Sequence, residues 1–265
     1  LMGKGEAYRI PLNIELEGKL DRKALREAVF DVVKRHVMLR AKGFLSEEGA
    51  KYIVSPEIGD VWSEKEVGAL GIDGVVAEIR GKISAPFNVE FEEPFSGCLY
   101  HLEGDRYVLS IITNHLVFDG WSSYVLLGDL SRAYAARLDG EVPQWADSPS
   151  YLQATNLSDE EREKRLAYWE RELKGAQLQT SLLADNEAVP EELNARVQSF
   201  PLPSQLVSLV KELARSNKTT LFSCMASVFA VMLGRNTGQN DVVFGTVNAN
   251  RDGRKSQSVI GNMTE

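Results

Sequence analysis

The stretch TNHLVFDGWSS, residues 113–123, lies where one hydrophobic pattern ends and another begins. Upstream, CLYHLEGDRYVLSIIT (98–113) holds two apolar runs joined by Glu103-Gly104-Asp105, which predicts a β-hairpin. Downstream, SSYVLLGDLSRAYAARL (122–138) places Leu126, Leu130, Ala133 and Arg137 along one helical edge, with Gly140 just beyond its end. The stretch is therefore a strand-loop-helix corner, with His115 at its start and Asp119-Gly120 at its close. Its chemistry has several readings. On a helix, His115 and Asp119 would share a face and could hold a metal, but the preceding strand and Gly120 argue against a helix here, and no third ligand is spaced nearby. A serine triad has no G-x-S-x-G elbow to support it. A histidine titrates near neutrality, so His115 at a strand end could serve as a general base or position a reacting group. Gly120 would tolerate a sharp turn. The remaining reading is a satisfied core histidine followed by an aspartate that caps the next helix. Spacing alone favours that last reading.

Working outward, the 265 residues are 43% hydrophobic and 26% charged, a globular composition. A net charge of −8 argues against nucleic acid or an anionic membrane as the main partner. Cys98 and Cys224 lack metal-ligand spacing and do not form a disulfide framework, so a reducing, cytoplasmic setting is expected. The longest nearly apolar run, Leu221 to Leu233, is short for a membrane span. The chain enters a strand almost at once and stops within SVIGNMTE, which reads as a fragment.

Ile10, Leu12, Ile14 and Leu16 alternate as in a half-buried strand, and GKLDRKALREAVFDVVKRH follows as a helix that Asp21 can cap. His36 ends that helix and is expected to cap it or contact its dipole. His101 alternates within a strand, and Trp62, Trp145 and Trp169 read as packing anchors. AKGFLSEEGAKYIV reads as a hairpin, and Ser63 to Ile83 as weakly helical. LSDEEREKRLAYWEREL is a helix with a Ser158–Glu161 capping box. LKGAQLQTSLLADNEAVPEELNA reads as a linker. Beyond it come a strand in ARVQSFPL, a helix in PSQLVSLVKELARSN, an apolar helix in TLFSCMASVFAVMLGR expected to be buried on all sides, and a strand in DVVFGTV. The expected domains are residues 1–174, a linker at 175–195, and residues 196–265.

Six ordered segments resemble the condensation domains of nonribosomal peptide synthetases. NHLVFDGWS (114–122) resembles the family's H-H-x-x-x-D-G-W-S motif, and RHVMLRAKG (35–43) its R-H-E-x-L-R-T segment. APFNVEFEEPFSGCLYHL (85–102) is similar to P-F-D-L-x-x-x-P-L, and RLAYWERELKGA (165–176) to L-x-Y-W-x-x-x-L-x-G-A. The run from Thr219 to Arg251 resembles T-L-F-x-x-L-L-A-A-F-x-x-L-L-x-R-x-T-G-Q-x-D-x-x-x-G-T-P-V-A-G-R, and IGNMTE the start of I-G-x-F-V-N-T.

The resemblance implies an α+β, chloramphenicol-acetyltransferase-like fold of two lobes in a V, with the second lobe incomplete. It implies amide-bond formation between a donor thioester and an acceptor amine. Each would be tethered through 4'-phosphopantetheine to a peptidyl carrier protein, with an adenylation domain adjacent. No cofactor or metal is expected on the chain itself, and neither nucleic acid nor membrane is an expected partner. His115 corresponds to the family's second histidine, which accepts a proton from the attacking amine or positions it. Asp119 is expected to pair with Arg251 across the lobes and brace the loop. Gly120 is expected near the substrate channel, with Trp121 and Ser122 completing the motif along it.

Asn114 departs from the family's first histidine; it can fix the loop but cannot act as a base. GTVNANR lacks the family's proline, and the family's opening helix is absent. A related acyltransferase using a free amine, an alcohol or a coenzyme A thioester stays open. So does a non-catalytic domain that recruits carriers or tailoring enzymes, which Asn114 favours and His115, Asp119 and Gly120 oppose. Heterocyclisation is disfavoured because that subfamily has an aspartate where His115 stands; epimerisation keeps the histidines and remains a minor alternative.

Overall fold

The alternating residues 10–16 form strand β1 (Arg9–Glu17), followed by helix α1 (Arg22–Arg35), whose N-cap Asp21 accepts from Ala24 N at 2.9 Å. In this computed structural model, residues 8–46, 49–68, 71–85, 88, 90–145, 151, 158–178, 198–251 and 256–264 are described. Next come the antiparallel pair β2 (Ala41–Ser46) and β3 (Gly49–Val54), strand β4 (Trp62–Glu66) and helix α2 (Gly71–Ser84). Strands β5 (Phe95–His101) and β6 (Arg106–Asn114) form the hairpin, and helix α3 (Gly120–Leu138) follows the corner. Helices α4 (Asp159–Glu172), α5 (Ser204–Ser216) and α6 (Leu221–Thr237) follow among the described residues.

The main sheet has the order β1-β6-β5-β4, antiparallel except for the parallel β4–β5 pair. Residue alternation divides β6 between two cores. Tyr107, Leu109 and Ile111 face Leu25, Val29 and Val32 of α1 and Leu126, Leu130 and Ala133 of α3. Val108 packs with Cys98 and Tyr100 against Val75 and Ile79 of α2. A strand covered on both faces needs apolar residues at every position, so β6 reads as a continuous run, whereas β1 at the edge alternates. Each fully buried Val or Leu here contributes about 1.5–3 kcal/mol. These packed cores hold the end of β6, and hence the corner, in place.

By contact density the chain forms two compact units, residues 1–156 with 247–265, and residues 157–246. These limits differ from the expected division at 174 and 195: residues 247–264 pack with the first unit, not with the segment that precedes them. Of the expected linker, residues 179–195 lie outside the described residues.

Three element predictions are corrected. Within 63–83, a strand comes first and the helix starts only at Gly71. WSEKE has weak strand character, but hydrogen bonding to β5 overrides local preference. DVVFGTV is irregular, as are residues 198–202 of ARVQSFPL, because neither has a strand partner among the described residues; residues 195–197 lie outside them. Helix α6 is not buried on all sides: Cys224 and Leu233 are covered, while Phe222 is 60% and Val228 58% exposed. An all-round apolar helix needs neighbours all round, and α5 is the element packed on it within this unit.

His36 does cap α1, but its ring turns inward rather than toward solvent. It is buried, with Nε2 2.8 Å from Asp129 Oδ2. His101 stacks on Tyr107 and bonds Glu66. Trp62 and Trp145 pack against the main core, the latter under the Arg35 guanidinium, whereas Trp169 is 56% exposed and meets the Tyr168 ring edge to face.

Candidate active site

Strand β6 delivers Asn114 and His115 to the corner. Asn114 is buried; its main-chain N donates to Pro94 O, and its Oδ1 accepts from Leu116 N at 2.9 Å. Its carbonyl accepts from Val117 N, closing a tight turn at 114–117. An asparagine suits this work because one acceptor side chain can mimic a backbone carbonyl two residues on. The residue that departs from the motif thus fixes the loop.

His115 leaves the strand exposed, and its ring makes no hydrogen bond with the described residues. Its main-chain N donates to Tyr8 O at 2.6 Å, and its carbonyl accepts from Asn262 Nδ2 at 2.9 Å. No bond joins it to Asp119. The ring is exposed while the backbone of His115 is held from two sides.

Asp119 is fully buried and does two things that the sequence set against each other. It caps α3, with Oδ1 accepting from Ser122 N at 2.8 Å, and it pairs with Arg251, whose Nη2 lies 2.9 Å from Oδ2. The Arg251 guanidinium is buried too, donating to the carbonyls of Ser256 and Val259 at 2.6 Å and of Gly261 at 2.9 Å. Burial alone pushes the Asp119 carboxyl up. Hydrogen bonds from Ser122, Arg251 and Met263 N outweigh it and hold the group below the ordinary carboxylate range. Both residues belong to one compact unit, so the pair ties residues 247–264 to the corner within that unit.

Ser122 is buried at 0% exposure, so the structure puts it inside this network rather than on a channel wall. Its hydroxyl donates to Asp119 Oδ1 at 2.7 Å and accepts from Gly261 N at 3.1 Å. Trp121 is partly exposed, donates Nε1–H to Gln257 O at 3.1 Å, and meets Tyr124 edge to face. Gly120 opens α3 without a positive φ, and a Cβ there would meet nothing within 4 Å. The expected use of its turn flexibility is therefore corrected: nothing in the described chain requires glycine at 120.

Three further residues belong to the site: Tyr151 and Asn262, which no motif marked, and Asn250. Tyr151 covers Gly261 so closely that an added Cβ would fall 2.2 Å from the ring, and its hydroxyl donates to Asn262 O at 2.7 Å. Asn250 takes φ 49° immediately before Arg251, a backbone position that glycine or asparagine fills most readily. That residue stands where the motif has glycine, which was the one available signal. Among the described residues, no group of His, Cys, Asp or Glu is suited to a metal, and no helix is long and apolar enough to cross a membrane.

With this geometry in place, comparison with known proteins is informative. Residues 1–264 match the family model described as Condensation domain. The dimodular nonribosomal peptide synthase of Bacillus subtilis (strain 168) is 28% identical over 274 residues, covering 98% of this chain and 11% of the synthase. The X-domain from teicoplanin biosynthesis superposes with a TM-score of 0.81 at 20% identity, over 97% of this chain and 59% of that one. The first condensation domain of the calcium-dependent antibiotic synthetase, in complex with a substrate analogue, gives a TM-score of 0.73 at 21% identity, over 98% and 63%. These structures share the mixed helix-and-sheet fold. The chain spans about three fifths of the length of each and a small part of the synthase.

Proposed function

The chain belongs to the condensation-domain family, and on that premise we propose that it catalyses amide-bond formation in nonribosomal peptide synthesis. The observation that carries this reading is the division of labour at the corner: a buried Asp119–Arg251 brace beside an exposed His115 whose ring has no hydrogen bond among the described residues. The acceptor amine attacks the carbonyl carbon of the donor thioester. A C–N bond forms, the C–S bond breaks, and the proton lost by the amine ends on the departing thiol. His115 takes that proton from the amine and returns it to the sulfur, or orients the amine for attack. Donor and acceptor are each carried on the phosphopantetheine arm of a peptidyl carrier protein, with an adenylation domain in the same assembly. The open space at Gly120 suits the approach of such an arm. Cys98 and Cys224 are buried thiols, which fits the cytoplasm.

The test supplies the full-length protein with aminoacyl thioester donors on carrier domains, and acceptors either on a second carrier or as free amines. Carrier-bound acceptors should be used, and His115→Ala should lower the rate about 10²–10⁴-fold. Exclusive use of free acceptors would transfer the chain to the acyltransferase reading. Asn114, in place of the motif histidine, favours a second reading as a domain that recruits carriers or tailoring enzymes. Under that reading the protein binds loaded carriers, but neither wild type nor Asn114→His turns them over.

A further inference from the structure

We infer that Asn262 is a positioning residue for His115, an inference that rests on the proposed role of His115 in condensation. The His115 carbonyl lies past the end of β6 and before the start of α3, so neither element supplies it with a donor. Asn262 does, with Nδ2 at 2.9 Å. The orientation of its amide is fixed by two donors on the other side: Thr264 N and Thr264 Oγ1 both bond Oδ1, at 3.3 and 2.5 Å. That leaves the NH₂ end facing His115.

Asn262 is itself held in place. Its carbonyl accepts from the Tyr151 hydroxyl, and its neighbours Gly261 and Met263 are bonded through their main-chain N–H groups to Ser122 and Asp119. The reach across to residue 115 is therefore pre-organised by the same network that braces the corner. The His115 ring has no hydrogen bond of its own among the described residues, so the point from which it projects, its Cα–Cβ bond, is placed by the main chain alone. That main chain is pinned at N by Tyr8 and at O by Asn262. Removing the second pin leaves the exposed ring free to swing with the 114–117 turn, and a small displacement of a reacting group costs rate steeply.

The experiment compares Asn262→Ala and Asn262→Asp, the latter keeping the Thr264 contact while placing an oxygen against the His115 carbonyl. The chain has three histidines, so the His115 Cε1–H resonance is identified by its loss in His115→Ala. Both variants should melt close to wild type, shift that resonance, and lower kcat about 10- to 100-fold on the carrier-bound donor and acceptor panel, with KM little changed. In a His115→Ala background, Asn262→Ala should have no further effect. If Asp at this position unfolds the segment, the Ala variant and the resonance decide. An unchanged resonance and kcat beside a crippled His115→Ala would overturn the inference and leave the site reading standing, as would a loss that persists in the His115→Ala background. A His115→Ala protein that condenses at the wild-type rate would remove both.

Discussion

Asn250 shows how a single residue makes the brace possible. The chain must turn through a left-handed conformation for the Arg251 guanidinium to enter the buried network, and Asn250 N donates to Asn248 Oδ1 at 3.0 Å as it does so. An ordinary side chain in that region costs about 1–2 kcal/mol, which asparagine partly avoids. Asn250→Ala should therefore lower stability by about 1 kcal/mol, whereas Asn250→Gly should be near neutral; equal losses in denaturant melts would show that the side chain rather than the backbone matters. Asn114 illustrates the limit of reading by motif. In the sequence it is a departure from a histidine, with no means of telling tolerance from function. In the structure its Oδ1 closes the turn onto Leu116 N. The legible part was the residue type, an acceptor at a corner; the invisible part was which N–H it met.

Among elements, α3 carries two tests. Gly128 lies exposed in the helix interior, and a Cβ there would meet nothing within 4 Å. Glycine costs about 1 kcal/mol relative to alanine in such a place. Gly128→Ala should raise Tm by about 2–4 °C; a fall would show that α3 is covered there by something else. On its buried side, Asp129 gathers Arg35 Nε at 2.9 Å, His36 Nε2 at 2.8 Å and Arg132 Nη1 at 3.0 Å, clamping α1 to α3. Burial lowers the His36 pKa and the adjoining Arg35 adds to that, while Asp129 only partly opposes it. The neutral ring donates from Nε2. A histidine pKa depressed in the folded state means that the unfolded chain takes up the proton first. The stabilisation is full above about pH 6.5 and declines as pH falls toward the folded pKa. Melts between pH 7.5 and 5 should lose stability in wild type and lose less in His36→Gln; parallel slopes would contradict this. Strong local signals made several elements legible: alternation in β1, the Asp21 and Asp119 caps, the turn between β5 and β6, and the Ser158 capping box of α4. Strand β4 was not legible, because its pairing with β5 is non-local and its residues are mostly charged. The exposure of α6 was not legible either, since composition reports apolarity and says nothing of available neighbours.

For the molecule as a whole, the family was legible because six ordered segments agreed, while the site's wiring was legible only in part. Arg251 reaches Asp119 across 132 positions and Asn262 reaches His115 across 147, distances at which no spacing rule operates. The resemblance supplied the first pair, and the geometry alone supplied the second. It also moved Ser122 inward and brought 247–264 into the unit that holds the corner. On the proposed reading, this corner separates its brace from its chemistry. Thermal unfolding of Asp119→Ala beside His115→Ala tests it most directly. Removing one partner of a buried ion pair costs about 3–5 kcal/mol, so Asp119→Ala should melt far below wild type or fail to fold, while His115→Ala, exposed and unbonded at its ring, should melt with wild type. An Asp119→Ala protein that melts like wild type, or a His115→Ala protein that melts like Asp119→Ala, would contradict it.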